Sequence, residues 1–395
     1  MNPEKLTIMS VVGARPNFMK IAPFVRELGR YPDSFRHILV HTGQHYDATM
    51  SEAFFKALNI PAPDVDLGIG SGSHAEQVGR TMIAFEKVVQ AHRPDWIVVV
   101  GDVNATCACS ITAKKEHIKL AHIEAGLRSF DLDMPEEINR MVTDRLSDLL
   151  FTTDELADAN LIREGVAAGR IKRVGNIMID TLEAQRAVAA GLKPGDICEA
   201  AALPGALHPN PPLRDNGFAV MTLHRPSNVD DKDLLGEMVA FLTTDVAPVL
   251  PLVWPVHPRT RKQLEQFGFW ETLRNCPGVI LTAPLGYHEM LRLTMGARVM
   301  LTDSGGLQEE CCVLGTPCLT LRGNTERPMT LREHGGASIL VGHDIQKIRA
   351  EFREAATRPR AEHRPLLWDG HTAERIVACL RELPPEAEIT IPLRA

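Results

Sequence analysis

No apolar run in this chain approaches the ~20 residues a bilayer-spanning helix needs. The longest, such as WIVVV from Trp96 to Val100, have the length of a strand. The opening MNPEKLTIMSVVGARPN lacks a basic start and an apolar signal-peptide core. It reads as a first buried strand, and the cytoplasm is the expected location. Positive charge is not in excess either: 43 Lys and Arg face 50 Asp and Glu, for a formal net charge of -7. That balance argues against a nucleic-acid partner and suits an enzyme in solution. Of the eight cysteines, Cys107 lies near Cys109 and Cys311 adjoins Cys312. Neither pair is followed by a second CxxC or a His-x-His partner, so buried thiols are expected rather than a zinc site. There is no Walker GxxxxGK[ST] sequence.

What is present fits an α/β protein. At 395 residues the chain is too long for one core. Strand-length runs alternate with amphipathic segments: LTIMSVV (Leu6 to Val12) precedes a helical stretch near Phe18 to Leu28, and RHILVHT (Arg36 to Thr42) another near Thr49 to Leu58. A longer helix is expected over His74 to Ala91, then DWIVVVGD, a helix over Ala105 to Glu116, and KLAHIE. Continuous apolar strands in a βαβα rhythm imply a parallel sheet covered on both faces. The rhythm loosens at LPGALHPNPPLRDNG (Leu203 to Gly217), the expected linker or an exposed loop, and then GFAVMTL opens a second series. The last periodic helix is expected near Ala373 to Leu383.

Ligands of parallel sheets sit beyond the carboxyl ends of the strands, so the residues just after each strand carry the functional signal. After the first strand, GARPNFMK supplies Arg15 and Lys20, two cations able to meet a diphosphate or to pair with internal carboxylates. Asp102 could serve chemistry or cap the following helix. Glu124 follows a later strand, while Glu136 and Glu137 follow Pro135 at a helix start, where they also suit the helix dipole. In the second half LHRPSN carries His224, and HPRT carries His257. DSGGLQEE begins a helix with bare amides at Ser304, Gly305 and Gly306, where an anion can approach, and places Glu310 one turn inside. Together these residues give an anion site in one half and carboxylates in the other, without naming a reaction.

These stretches resemble the non-hydrolysing UDP-N-acetylglucosamine 2-epimerases. GARPNFMK, TGQHYD, PDWIVVVGDVNAT, AHIEAGLRS, MPEEINR, VGNIMIDTL, TLHRPSN, PVHPRT, LTDSGGLQEE and TERP occur in family order across nearly the whole chain. The resemblance implies a glycosyltransferase-B architecture of two Rossmann-like domains with an inter-domain cleft for UDP. It implies domains at 1–180 and 181–369, with a helix at about 370–395 packing back on the first. It further implies inversion at C2 of a UDP-sugar by elimination of UDP and re-addition, without metal or other cofactor, in a homodimer. By the same resemblance, Asp102, Glu124, Glu137 and His224 are the expected catalytic groups. The expected substrate contacts are Arg15, Lys20, Glu136, Arg140, His257, Ser304, Gly305, Gly306, Glu310 and Arg327. Many bacterial members read GTRPE where this chain has Ala14 and Asn17, and Asp47 replaces the second of two regulatory glutamines, Gln44 matching the first. Activation by a second substrate molecule is therefore not expected. A related C2 epimerase acting on UDP-2,3-diacetamido-glucuronic acid, a glycosyltransferase of the same architecture and a non-catalytic UDP-sugar-binding regulator are the alternatives.

Overall fold

Strands that are apolar at every position need cover on both faces, and the chain provides it in two separate sheets. The computed structural model describes residues 5–43, 58–205 and 212–382. The chain divides into one unit of residues 1–181 with 365–395 and a second of residues 182–364. The helix expected after the second strand, near 49–58, falls almost wholly outside the described residues, as do Gln44 and Asp47.

In the first unit β1 (Leu6–Val12), β2 (Phe35–His41), β3 (Val65–Asp66), β4 (Trp96–Val100), β5 (Lys119–Ala125), β6 (Leu149–Thr152) and β7 (Ile171–Arg173) form a sheet in the order β3-β2-β1-β4-β5-β6-β7. The recorded pairings are parallel. Side chains alternate across a strand. Met9, Val11, Ile97 and Val99 therefore share one face, which is covered by Phe85 and Val89 of the His74–His92 helix and by Cys109 and Ala113 of the Asn104–Lys115 helix.

The second unit holds β8 (Ala219–Thr222), β9 (Leu252–Pro255), β10 (Val279–Thr282), β11 (Val299–Thr302), β12 (Cys318–Thr320) and β13 (Ser338–Leu340), in the order β10-β9-β8-β11-β12-β13. Met221, Trp254, Leu281 and Leu301 point into one core, and their neighbours Val220, Val253, Ile280 and Met300 into the other. Both units are thus Rossmann-like. In each, strand order reverses beside the first strand, at β1/β4 and at β8/β11. Connections leave in opposite directions there, opening a crevice at the carboxyl ends of the strands.

The first division between the units falls inside the Ile177–Ala190 helix, and the second follows Arg364. The Pro/Gly-rich stretch from Leu203, read from sequence as a linker or an exposed loop, falls within the second unit. There Ala202 bridges Thr282, and the Leu203 amide donates to the Leu281 carbonyl at 3.3 Å. The chain first passes between the units within a helix.

The last helix, Thr372–Glu382, belongs to the first unit. Two contacts seat it. The Trp368 indole donates to the Thr153 carbonyl at 3.0 Å, and the buried Asp180 carboxylate caps the helix by accepting from the Thr372 and Ala373 amides at 3.0 and 2.7 Å. An N-cap carboxylate is worth about 1–2 kcal/mol. Asp180→Ala should therefore lower the stability of the first unit by about that amount in denaturant unfolding; an unchanged midpoint would show the cap to be dispensable.

Candidate active site

At the β1/β4 reversal of the first unit, charged side chains meet out of water. Lys20, on the Arg15–Leu28 helix, is 5% exposed and ion-pairs with Glu124, which is 4% exposed. Glu124 lies in the left-handed region at φ 73, where the β5/β6 register shifts between Ile123 and Ala125. A bulge re-aims a side chain and a left-handed non-glycine residue is strained, and both features cluster at functional sites. Gly101 follows β4 with φ 67, and a Cβ there would lie 3.1 Å from Lys20 Nζ and 3.4 Å from Glu124 Oε2.

Asp102 comes next, its side chain 23% exposed and one oxygen held by Arg140. Arg140 is almost completely buried and reaches Glu137 as well, through Nε at 3.0 Å and Nη2 at 2.6 Å. Glu137 also accepts from the Ser129 amide and hydroxyl and from the Phe130 amide, at 3.0, 3.1 and 2.9 Å. Burial opposes its ionisation, but these donors outweigh burial and hold the carboxyl below its ordinary value. Glu137, expected from sequence to be catalytic, is fully buried here and meets five donor contacts, four of them on one oxygen. Arg140, expected to contact substrate, is occupied by two carboxylates. Neighbouring Glu136 is exposed at the same helix start. The Arg15 backbone begins the first helix; its side chain lies outside the described residues.

At the β8/β11 reversal of the second unit, Asp303 is fully buried. One oxygen lies 2.7 Å from His224 Nδ1; the other accepts from the His224 and Arg225 amides and Asn228 Nδ2 at 2.9, 2.8 and 3.0 Å. Burial alone would raise its pKa, but His224 and these donors pull it down to about 2. Asp303, which follows β11, thus turns back and orients His224, whose side chain stays 43% exposed. The His224 and His257 ring centroids are 5.7 Å apart, and His257 Nδ1 accepts from the Arg259 amide at 3.2 Å.

Ser304 is the N-cap of the Gly305–Leu314 helix, yet its side chain makes no capping bond. A helix start of this kind has amides that an anion can meet. A Cβ on Gly305 would lie 2.6 Å from Arg327 Nη1 and 2.8 Å from Glu326 Oε1. The absent Cβ leaves room for a guanidinium to lie against the helix start. Arg327 pairs with Glu326 and, through Nε at 3.0 Å, with Glu309. Glu310 is 3% exposed. Burial first, then the Glu309 charge, raises its carboxyl to about 7, with the Tyr287 hydroxyl opposing. The structure therefore brings Lys20, Asp102, Glu124, Glu137 and Arg140 together in one unit. In the other it brings together His224 with His257, and Arg327 with the Ser304–Gly306 turn. Among the described residues no cluster of three or more His, Cys, Asp or Glu could hold a metal ion, and no helix is long and apolar enough to cross a membrane.

Two Rossmann-like units, one with an open helix N-terminus beside an arginine and a histidine, the other with partnered carboxylates at the strand ends, define a nucleotide-sugar enzyme of the glycosyltransferase-B kind. The profile of the UDP-N-acetylglucosamine 2-epimerase family matches residues 26–381, and the chain belongs to that family. It is 40% identical to a UDP-N-acetylglucosamine 2-epimerase of Methanocaldococcus jannaschii, over 95% of this chain and 98% of that protein. It is 38% identical to a UDP-2,3-diacetamido-2,3-dideoxy-D-glucuronate 2-epimerase of Pseudomonas aeruginosa, over 96% of this chain and 100% of that one. The crystal structure of the Methanocaldococcus jannaschii UDP-GlcNAc 2-epimerase in complex with UDP-GlcNAc and UDP superposes with a TM-score of 0.83 at 38% identity, covering 95% of this chain and 99% of that one.

The buried Glu310 gives a pH test. Its folded pKa is raised from 4.5 to about 7, so the native state retains the proton longer than the unfolded chain. The resulting stability is fully present below pH 4.5 and is lost as pH rises through about 7. The loss amounts to about 3 kcal/mol. Glu310→Gln cannot ionise, so across that window the variant should gain about 3 kcal/mol relative to the wild type in denaturant unfolding. Parallel pH profiles would show that Glu310 titrates normally.

Proposed function

We propose that the protein inverts C2 of UDP-N-acetylglucosamine to give UDP-N-acetylmannosamine. The C2 proton has no carbonyl beside it. Breaking the C1–O bond first makes C1 cationic and that proton acidic. UDP departs with the bonding pair, a carboxylate takes the C2 proton, and 2-acetamidoglucal remains. UDP then adds back to C1 while a proton is delivered to C2 on the opposite face.

The second unit supplies the leaving-group functions. The Ser304–Gly306 amides and Arg327 meet the diphosphate, His224 presents Nε2 to it, and Glu310 accepts from ribose hydroxyls. His257 stands beside His224, and Arg15 and Lys20 add positive charge in the first unit. Asp102 and Glu124 are the proton-transfer carboxylates. Glu136, exposed on the helix that carries Arg140, is a better third candidate than Glu137, whose five donor contacts come from Ser129, Phe130 and Arg140. The observation that carries this reading is the pair of partnered carboxylates beside Gly101: Asp102 on Arg140 and the strained Glu124 on Lys20. A protein that only bound UDP-sugars would need neither.

A second reading, epimerisation of UDP-2,3-diacetamido-glucuronic acid, draws support from the Pseudomonas aeruginosa relative. Cytoplasmic location fits the eight cysteines, all free and most of them buried. A homodimer fits the exposed apolar side chains at Phe130, Leu132, Ile138 and Met141.

Incubation with UDP-GlcNAc in deuterium oxide should place deuterium at C2 and yield UDP-ManNAc. Protiated, unchanged sugar would leave only a binder, and the diacetamido-glucuronate in the same assay separates the two substrates. Asp102→Asn should lower exchange by about 10²-fold or more while UDP still binds; near-normal exchange would remove Asp102 from the mechanism. For the dimer, light scattering should find two chains in the wild type and one in Phe130→Asp/Met141→Asp, and a monomeric wild type would end that proposal.

A further inference from the structure

Three successive carbonyls at the end of β4 are each held by a side chain from a different element. The Val100 carbonyl accepts from Asn17 Nδ2 at 2.8 Å, that of Gly101 from His122 Nε2 at 2.8 Å, and that of Asp102 from Asn139 Nδ2 at 2.9 Å. Asn17 lies on the first helix, His122 on β5 and Asn139 on the Pro135–Leu146 helix. Peptide groups at a strand end ordinarily turn to solvent or to the next helix; here the chain on either side of Asp102 is fixed from three directions.

His122 is the centre of this clamp. Its ring is fully buried, and Nδ1 lies 2.6 Å from Asp144 Oδ1. A carbonyl only accepts, so Nε2 donates to Gly101, and a proton must also lie between Nδ1 and the carboxylate. Asp144 is itself pinned: its other oxygen accepts from the Gly126 amide at 3.0 Å and from Arg128 Nη1 at 2.6 Å. Arg128 in turn donates to Glu164 at 2.8 and 2.7 Å. The ring can neither flip nor swing without leaving a buried partner unmet. Gly101, the residue it holds, has the left-handed φ of 67, and Lys20 and Glu124 face its α-carbon.

We propose that His122 is a positioning residue for the reaction: by holding the Gly101 carbonyl it fixes the Gly101–Asp102 peptide, and with it the direction of the Asp102 carboxylate. The inference rests on the assignment of Asp102 to proton transfer. His122 touches no substrate; it acts through the backbone.

Two amide substitutions separate the ring's two contacts. The amide nitrogen of glutamine falls near the position of Nε2, and that of asparagine near Nδ1. His122→Gln keeps the donor to Gly101, and His122→Asn loses it. With UDP-GlcNAc in deuterium oxide, His122→Asn should lower kcat for C2 exchange by roughly 10- to 100-fold. Its KM, and UDP affinity by calorimetry, should stay within about twofold, and His122→Gln should recover most of the turnover. Equal losses in both variants, or loss of UDP affinity in step with kcat, would mean a merely structural role and overturn the proposal. If His122→Asn does not fold, Asn139→Ala, which frees the next carbonyl, should show the same fall in kcat at unchanged UDP affinity, and normal kcat there overturns it. In an Asp102→Asn background, His122→Asn should cost nothing further. A full second loss refutes the coupling, whereas normal turnover in Asp102→Asn alone refutes the Asp102 assignment instead.

Discussion

A carboxylate withdrawn from water costs several kcal/mol unless a cation or several amides meet it, and that constraint governs both sheet ends. In the first unit Arg140 meets Asp102 and Glu137 together, and Lys20 meets Glu124. In the second, Asp303 gathers His224, two amides and Asn228, while Arg327 lies between Glu326 and Glu309. Groups held by protein partners cannot reorient as water does. Such fixed charges stabilise a developing charge without first being reorganised. The same pairing makes the arrangement brittle, because removing one partner strands the other in a poorly solvated place.

Within each unit the parallel architecture decides where these charges can be. The two strands flanking the reversal open a crevice beyond their carboxyl ends, and β1 with β4, and β8 with β11, are those strands. Glu124 comes from the next strand over, and it arrives by a bulge and a left-handed residue rather than by regular extension. A plain continuation of β5 would direct it elsewhere. The strain, of order 1–3 kcal/mol, is sustained by the Lys20 ion pair and by the packed core beneath.

Much of this was legible in the sequence because it depends on chain-local signals. Strands such as WIVVV are apolar at each position, and the polar residues after them marked the sheet ends. What the sequence hid depends on partners distant along the chain. Glu136 and Glu137 are equivalent as letters after a proline, and only the Ser129–Phe130 amides, with Phe130 at φ 59, show which is tied down. Asp303 carries no sequence signal of its role, because its donors belong to the segment after β8. Leu203 to Gly217 read as a linker or an exposed loop because Pro and Gly break structure, whereas the first crossing between units is hidden within a helix.

The two glycines that end β4 and open the Gly305 helix now have one explanation with two forms. At Gly305 the requirement is space: Arg327 occupies the place a Cβ would take, 2.6 Å from it. At Gly101 a left-handed backbone adds to it, with φ at 67 and Lys20 Nζ 3.1 Å from the absent Cβ. In both places a missing side chain lets a cation reach the peptide backbone at a sheet end. Helix capping alone would not need that approach, since Ser304 sits at the cap position and leaves its hydroxyl out of the cap. Gly305 is therefore better understood as room for the Arg327 guanidinium.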